Sequence, residues 1–189
     1  MAWYGYVDVP HSTYNEWKQN TINNGYDLDG YWGCQCWDYA SLFWRNVGYA
    51  AGYPLTGPNH SAYECWTVSR EANKGSEFDL IYNKEELKIG DVIVFGGGAN
   101  GHIAFANEDY NGTDSMECLG QNQGGGTPGP GGGTSVSLNI LNLSGFLGAF
   151  RYKGWESTPP QPPLPSLTAN NHFPWVLIAR KLRNRNNVI

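Results

Sequence analysis

The spacing of apolar residues changes once along this chain, and the change separates helices from strands. In the first half the spacing is helical. Ser12 or Thr13 is placed to cap a helix that runs through Glu16, Trp17 and Lys18 toward Ile22, and Asn23-Asn24-Gly25 ends it. A second helix is predicted to start near Cys36. It carries Trp37, Tyr39, Ala40, Phe43 and Trp44 at intervals that place them on a core face. Residues 48–60, rich in Gly, Pro and Asn, read as loop, and a short helix over Ala62–Glu71 follows.

From Lys88 onward the segments shorten to strand length. Lys88-Ile89-Gly90-Asp91 is a turn and Val92–Phe95 a buried strand. Gly96–Gly101 makes a hairpin-type loop into the next strand, His102–Asn107. Ser115–Gln121, Val136–Leu143 and Gly148–Tyr152 complete a small antiparallel sheet. Helices first and strands second indicate an α+β domain. Gly124–Gly133 is glycine-rich with two prolines. It lacks a strand–helix frame and a GK[ST] sequel, so it is no phosphate loop. It reads as an insertion, with a flap beside the substrate as the alternative. Pro159, Pro160, Pro162, Pro163 and Pro165 mark residues 157–166 as a semi-rigid linker. The chain then divides into a domain over 1–156, this linker, and a short apolar and basic tail over 167–189.

The richest chemistry lies between Asp27 and Asp38, where three carboxylates, a glycine turn and two cysteines crowd one loop and a helix start. A thiol becomes a nucleophile as thiolate, and a helix N-terminus and a nearby imidazole both favour that form. Cys36 sits where the helix begins, and His102 opens a later strand. That pairing suggests a papain-like thiol hydrolase, with a cation site beside the thiol. The amides around Cys36 are placed to hold an oxyanion. Cys34 falls before the helix and reads as a small packed residue. Trp32 reads as buried, with stacking on substrate as the alternative. His60 borders a groove, and His11 and His172 read as surface or packing residues.

Composition removes other classes. Four cysteines without CxxC pairs make neither a disulfide scaffold nor a zinc site. No run of about eighteen apolar residues is present, so no membrane span is expected. The net charge is −5, and Arg180, Lys181, Arg183 and Arg185 lie in the last ten residues. The remainder is strongly acidic and unsuited to nucleic acid, which needs clustered Lys and Arg. Eight Trp and twelve Tyr suit either a core or a binding groove. The start of the chain lacks a secretory signal pattern.

The segment Asp27–Asp38, with its D-x-D-G-x-x-G-x-Q-C-x-D spelling, resembles the catalytic loop of CHAP-domain peptidoglycan hydrolases, the cysteine, histidine-dependent amidohydrolases/peptidases of many phage endolysins. Leu87–Phe95 resembles the family's turn and strand before the histidine. Gly101-His102-Ile103-Ala104 resembles its histidine strand, Leu119-Gly120-Gln121-Asn122 its strand ending in Gln-Asn, and Gly148–Trp155 its closing strand. Five matches in order cover roughly Thr13 to Trp155.

The resemblance implies a papain-like (NlpC/P60-like) α+β fold, with N-terminal helices packed on a small antiparallel sheet. It implies Cys36 as nucleophile and His102 as base. One departure stands out, because Gly120 replaces the Glu of the family's frequent Glu-Gln-Asn. Asn122 is then the expected partner of the imidazole. Glu117 is held in reserve, an odd number of residues away on the same strand. Calcium-binding relatives imply a Ca²⁺ site made by the carboxylates of Asp27, Asp29 and Asp38 and the main-chain oxygens of Tyr31 and Gly33. Hard oxygens around a glycine turn suit that ion. The implied substrate is bacterial peptidoglycan, cut at a peptide amide by an endopeptidase. The alternatives are an N-acetylmuramoyl-L-alanine amidase and, from another class, a non-catalytic wall-binding or virion module. A phage lysin made in the host cytoplasm and released to the wall, or one carried in the virion, fits the resemblance.

Overall fold

The structure, a computed structural model, describes residues 2–4, 7–47, 55, 57–123 and 132–156. The linker, the tail and most of the glycine-rich loop fall outside the described residues. Thr13, rather than Ser12, caps the first helix, α1 (Tyr14–Thr21), its hydroxyl accepting from the Glu16 amide at 3.1 Å. The helix ends where Asn23 turns left-handed, at φ 67°. The second helix, α2 (Cys36–Asn46), starts as the aromatic spacing demands. The expected helix over Ala62–Glu71 is two helices, α3 (Ala62–Thr67) and α4 (Arg70–Lys74), parted at Val68 and Ser69.

The strands form a six-stranded antiparallel sheet. Here β3 is Phe78–Ile81, β4 Val92–Phe95, β5 His102–Ala106, β6 Ser115–Gly120, β7 Ser137–Asn142 and β8 Phe146–Tyr152. Their order across the sheet is β3-β8-β4-β5-β6-β7. The short helix α5 (Lys153–Glu156) closes the domain. Two further strands, β1 (Ala2–Tyr4) and β2 (Gly25–Asp27), pair in parallel. Strands β1, β2 and β3 have no periodic signature in the sequence, since three or four residues are too few to establish one. The architecture is α+β, with helices on an antiparallel sheet.

Alternation along the central strands divides the core between the two sheet faces. Val92, Val94, Ile103, Phe105 and Phe150 join the helices in the larger cluster. Ile93, Phe95, Ala104, Ala106 and Ala149 form a smaller cluster on the other face with Ile81, Leu87 and Leu143. Phe43 of α2 lies at the centre of the larger cluster, with its ring centroid 5.1 Å from those of Trp17 and Phe105 and 4.8 Å from that of Trp155. The Tyr39 hydroxyl meets that of Thr21 at 2.8 Å and ties α2 to α1. Most of the described aromatic residues are therefore core. Tyr31, Trp32, Tyr63 and Tyr82 are exceptions among the described residues. No helix among these residues is long and apolar enough to cross a membrane.

Gly148 tests this packing. A Cβ added there would lie 1.9 Å from Cζ2 of the buried Trp66 ring. Gly148→Ala is expected to lower unfolding free energy by about 1–3 kcal/mol, as overpacking does, and urea denaturation measures the loss.

Candidate active site

The ladder between β5 and β6 pairs Phe105 with Leu119 and Ala106 with Cys118, and does not extend to His102. The N-terminus of α2 is anchored at this end of the two strands. Buried Gln121, just after β6, acts as the clamp. Its Oε1 accepts from the Tyr26 amide at 2.8 Å, and its Nε2 donates to the carbonyls of Tyr26 (2.6 Å) and Gln35 (2.8 Å). Asn122 Nδ2 donates to Gln35 Oε1 at 2.6 Å. Cys36 is thereby held as the first residue of α2, with its thiol within hydrogen-bonding reach of the backbone at Ile103.

His102 follows Gly101, whose φ of 65° favours glycine. A Cβ at Gly101 would meet the Phe95 carbonyl oxygen at 2.5 Å and the Tyr63 amide at 3.0 Å. The loop before the histidine is pinned to α3, because Tyr63 N–H and the Ser61 hydroxyl both donate to the Asn100 carbonyl, at 2.9 and 3.1 Å. Cys36, His102 and Asn122 line one cleft of about 880 Å³, together with Asp29, Tyr31, Trp32, Gln35 and His60.

Burial sets the protonation of the pair. It pushes the Cys36 thiol up to about 11, opposed by hydrogen bonds from the backbone at Ile103 and Trp37 and reinforced by the charge of Asp38. It pushes the His102 imidazole down to about 4. Both shifts favour the neutral thiol and the neutral imidazole, the opposite of the thiolate-promoting surroundings expected at a helix start.

The acidic turn lies at the same helix end. Asp38, at the third position of α2, accepts from the Leu28 amide at 2.9 Å and the Gln35 amide at 3.0 Å. Asp27 accepts from Gly30 N–H and Asp29 from Tyr31 N–H, each at 2.8 Å. Asp27, Asp29 and Asp38 each offer an oxygen, and these oxygens lie within 4.8 Å of one another. Burial drives the Asp38 carboxyl up to about 7, with the charges of Asp29 and Asp27 adding to the rise. Three close acids, two of them buried, form an oxygen donor set of the kind a hard divalent cation takes. Gly30, Trp32 and Gly33 all have positive φ, so the Tyr31 and Gly33 carbonyls belong to a tightly wound turn.

The remaining candidates fall out as follows. Glu117 is not in the cleft. Its carboxylate accepts from Asn107 Nδ2, and Asn107 N–H bonds the Glu117 carbonyl, at the opposite end of β5 from His102. Strand register places it there, which removes it as a partner for the imidazole. Trp32 is 53% exposed and meets Tyr31 edge-on, with centroids 5.3 Å apart, contrary to the burial expected. His60 does border the cleft, stacked on Trp37 at 5.6 Å with Nδ1 3.2 Å from Asp29 Oδ2. Cys34 lies outside the cleft lining, its N–H bonded to the Gly132 carbonyl at 2.9 Å. Sequence reasoning missed Gln35 and Gln121, whose neutral amides carry no chemical signal of their own. It also missed the contact of Gly132 and Gly133 with the turn. The glycines before Cys34 and at 133 were its only clue.

Comparison with known proteins identifies the family and the fold. A family model described as CHAP domain matches residues 22–122. A D-alanyl-L-alanine endopeptidase of Streptococcus phage B30 is 33% identical over 120 residues, which is 60% of this chain and 25% of that protein. The chain thus spans about a quarter of that relative's length. The crystal structure of a wild type endolysin, LysIME-EF1, superposes with a TM-score of 0.57 at 22% identity, covering 74% of this chain and 64% of that one. At that identity the likeness concerns the fold.

Two outcomes follow from the site's construction. Gln121→Ala leaves the Tyr26 and Gln35 backbone groups unpartnered and is expected to cost about 1–3 kcal/mol, read from a denaturant midpoint. His102 titrates lower in the folded chain than the ordinary 6.5, so the unfolded chain binds more protons between about 4 and 6.5. Its contribution to stability is therefore lost as pH falls through that window. A melting series is expected to show a descent toward pH 4 that is reduced in His102→Gln.

Proposed function

Because the chain belongs to the CHAP domain family, we propose that it is a peptidoglycan hydrolase of the phage lysin kind that cleaves a peptide amide bond of the bacterial wall. One observation carries this reading. The Cys36 thiol stands at the start of α2, beside the Ile103 backbone, in the cleft that also holds His102. Likeness to the D-alanyl-L-alanine endopeptidase of Streptococcus phage B30 supports a peptide linkage over the muramoyl amide.

His102 takes the thiol proton as Cys36 sulfur attacks the substrate carbonyl. Main-chain amides at the start of α2 face the developing oxyanion. The imidazolium then returns its proton to the leaving amine. Water, deprotonated by the same ring, hydrolyses the thioester and frees Cys36. Asn122 orients the imidazole, its amide nitrogen already fixed by Gln35. Exposed Tyr31 and Trp32 give the cleft an aromatic rim for substrate.

Asp27, Asp29 and Asp38, with the carbonyls of Tyr31 and Gly33, would hold a calcium ion, which would supply structure rather than chemistry. It would neutralise three acids that otherwise repel and stiffen the turn leading to Cys36. The chain's own part is to hold Asp38 in two backbone hydrogen bonds, so that one carboxylate serves both the turn and the helix.

Cys36→Ala is expected to reduce clearing of purified walls by at least about 10³-fold, the scale of losing a nucleophile. Mass spectrometry of the wild-type digest should find a new amino terminus within the wall peptide. Products cut at muramic acid would instead identify an amidase, and equal clearing by both proteins a non-catalytic module. Calcium affinity is expected to depend on pH. Asp38 holds a proton up to about pH 7 without the ion. Binding must displace it, so affinity should fall by up to about tenfold per pH unit below 7. Without calcium, Asp38's contribution to stability is present at low pH and lost as pH rises toward 7. Calcium should therefore raise the melting temperature more at pH 8 than at pH 5.5. Calorimetric titration and thermal melts check both.

A further inference from the structure

His102 borders two clefts. One contains Cys36. The other, about 350 Å³, is lined by His102 with Phe95, Asn122, Gln123 and Ser144 among others. Three of these lining residues carry a buried side-chain atom with no hydrogen-bond partner: His102 Nε2, Asn122 Oδ1 and Gln123 Oε1. Buried polar atoms are nearly always partnered, so three in such company call for a shared explanation.

The orientation of Gln123 is fixed by its own bonds. Its Nε2 donates to the carbonyls of Ser137 at 3.0 Å and Cys118 at 3.3 Å, which identifies the other atom as the acceptor oxygen. Gly120 makes room for this arrangement. A Cβ at residue 120 would lie 2.6 Å from Gln123 Nε2 and 2.9 Å from its Cδ. Gly120 is not among the residues with positive φ, so its backbone does not demand glycine. The side chain of Gln123 does. The amide therefore fills the space that a side chain at 120 would take.

We propose that Gln123 is a positioning residue for His102, acting through one bound water. The water donates its two hydrogens to Asn122 Oδ1 and Gln123 Oε1 and accepts one from His102 Nε2–H. That arrangement partners all three atoms, and three bonds are what a buried water typically makes. It fixes the imidazole proton on Nε2 and leaves the Nδ1 lone pair to accept from the Cys36 thiol. The carbonyl of Gln123 thus acts from beside the glycine at 120, where this chain offers no side chain of its own.

The proposal rests on His102 being the general base, and its test is readable without turnover. In protein labelled with ¹⁵N-histidine, wild-type His102 is expected to be the Nε2–H tautomer at pH 7. Gln123→Ala should move the ratio toward Nδ1–H and lower kcat on wall fragments about tenfold with KM unchanged. Gly120→Ala, which displaces the flexible amide, should reproduce both effects, and the double variant should be no worse than either single one. An unchanged tautomer ratio in folded Gln123→Ala or Gly120→Ala overturns the proposal, even where stability falls. Should Gln123→Ala fail to fold, Gly120→Ala alone decides. A wild-type protein that holds the Nε2–H tautomer yet leaves walls intact refutes the hydrolase reading and not the placement of Gln123.

Discussion

The carboxylate of Asp38 joins the acidic turn to the helix that carries the thiol. It lies in the first turn of α2, where the helix field favours a negative charge. It accepts from the amides of Leu28 and Gln35 and so fixes both ends of the loop between them. Burial makes this costly, and the neighbouring Asp27 and Asp29 make it costlier, which is why the group resists ionisation until about pH 7. A cation held there would answer all three penalties at once. The position of Cys36 is thus coupled to the charge state of a carboxylate two residues away.

The sheet supplies the other half of the site by stopping short. Strands β5 and β6 share ladder bonds at Phe105 and Ala106 and no further toward His102. At that end the main chain pairs instead with side-chain amides and with the start of α2. Gln121 behaves as a short piece of strand, offering one acceptor and one donor to Tyr26 and a further bond to Gln35. A neutral amide suits this place because it satisfies backbone groups of both kinds without adding charge.

Rigidity and reactivity occupy different parts of the molecule. Both faces of the sheet are filled by close-packed apolar side chains, and Phe43, Trp17 and Phe105 meet within a few ångströms. The cleft is built from turns with left-handed residues, at Gly30, Trp32, Gly33, His60, Gly101 and Asn122. These turns can present backbone amides and carbonyls to a ligand because a close-packed core backs them. Burial in the same core favours the neutral forms of Cys36 and His102.

The sequence alone determined the long elements and singled out the candidate residues of the cleft. The aromatic spacing from Trp37 to Trp44 could only be a buried helix, Val92–Phe95 could only be a covered strand, and the acids around Gly30 lay close enough in sequence to meet in space. Tertiary structure decided what depends on register and on neutral groups. Glu117 and Asn122 lie on one stretch of chain, yet the pairing of β5 with β6 sends Glu117 to Asn107 and leaves Asn122 beside His102. Gln35, Gln121 and Gln123 acquire their roles only from the carbonyls and amides brought to them. Strands of three or four residues, such as β2 and β3, hold their shape through their neighbours and not through a pattern of their own. Short-range periodicity is written in side-chain chemistry, whereas hydrogen-bond partners distant along the chain are fixed only when the core packs.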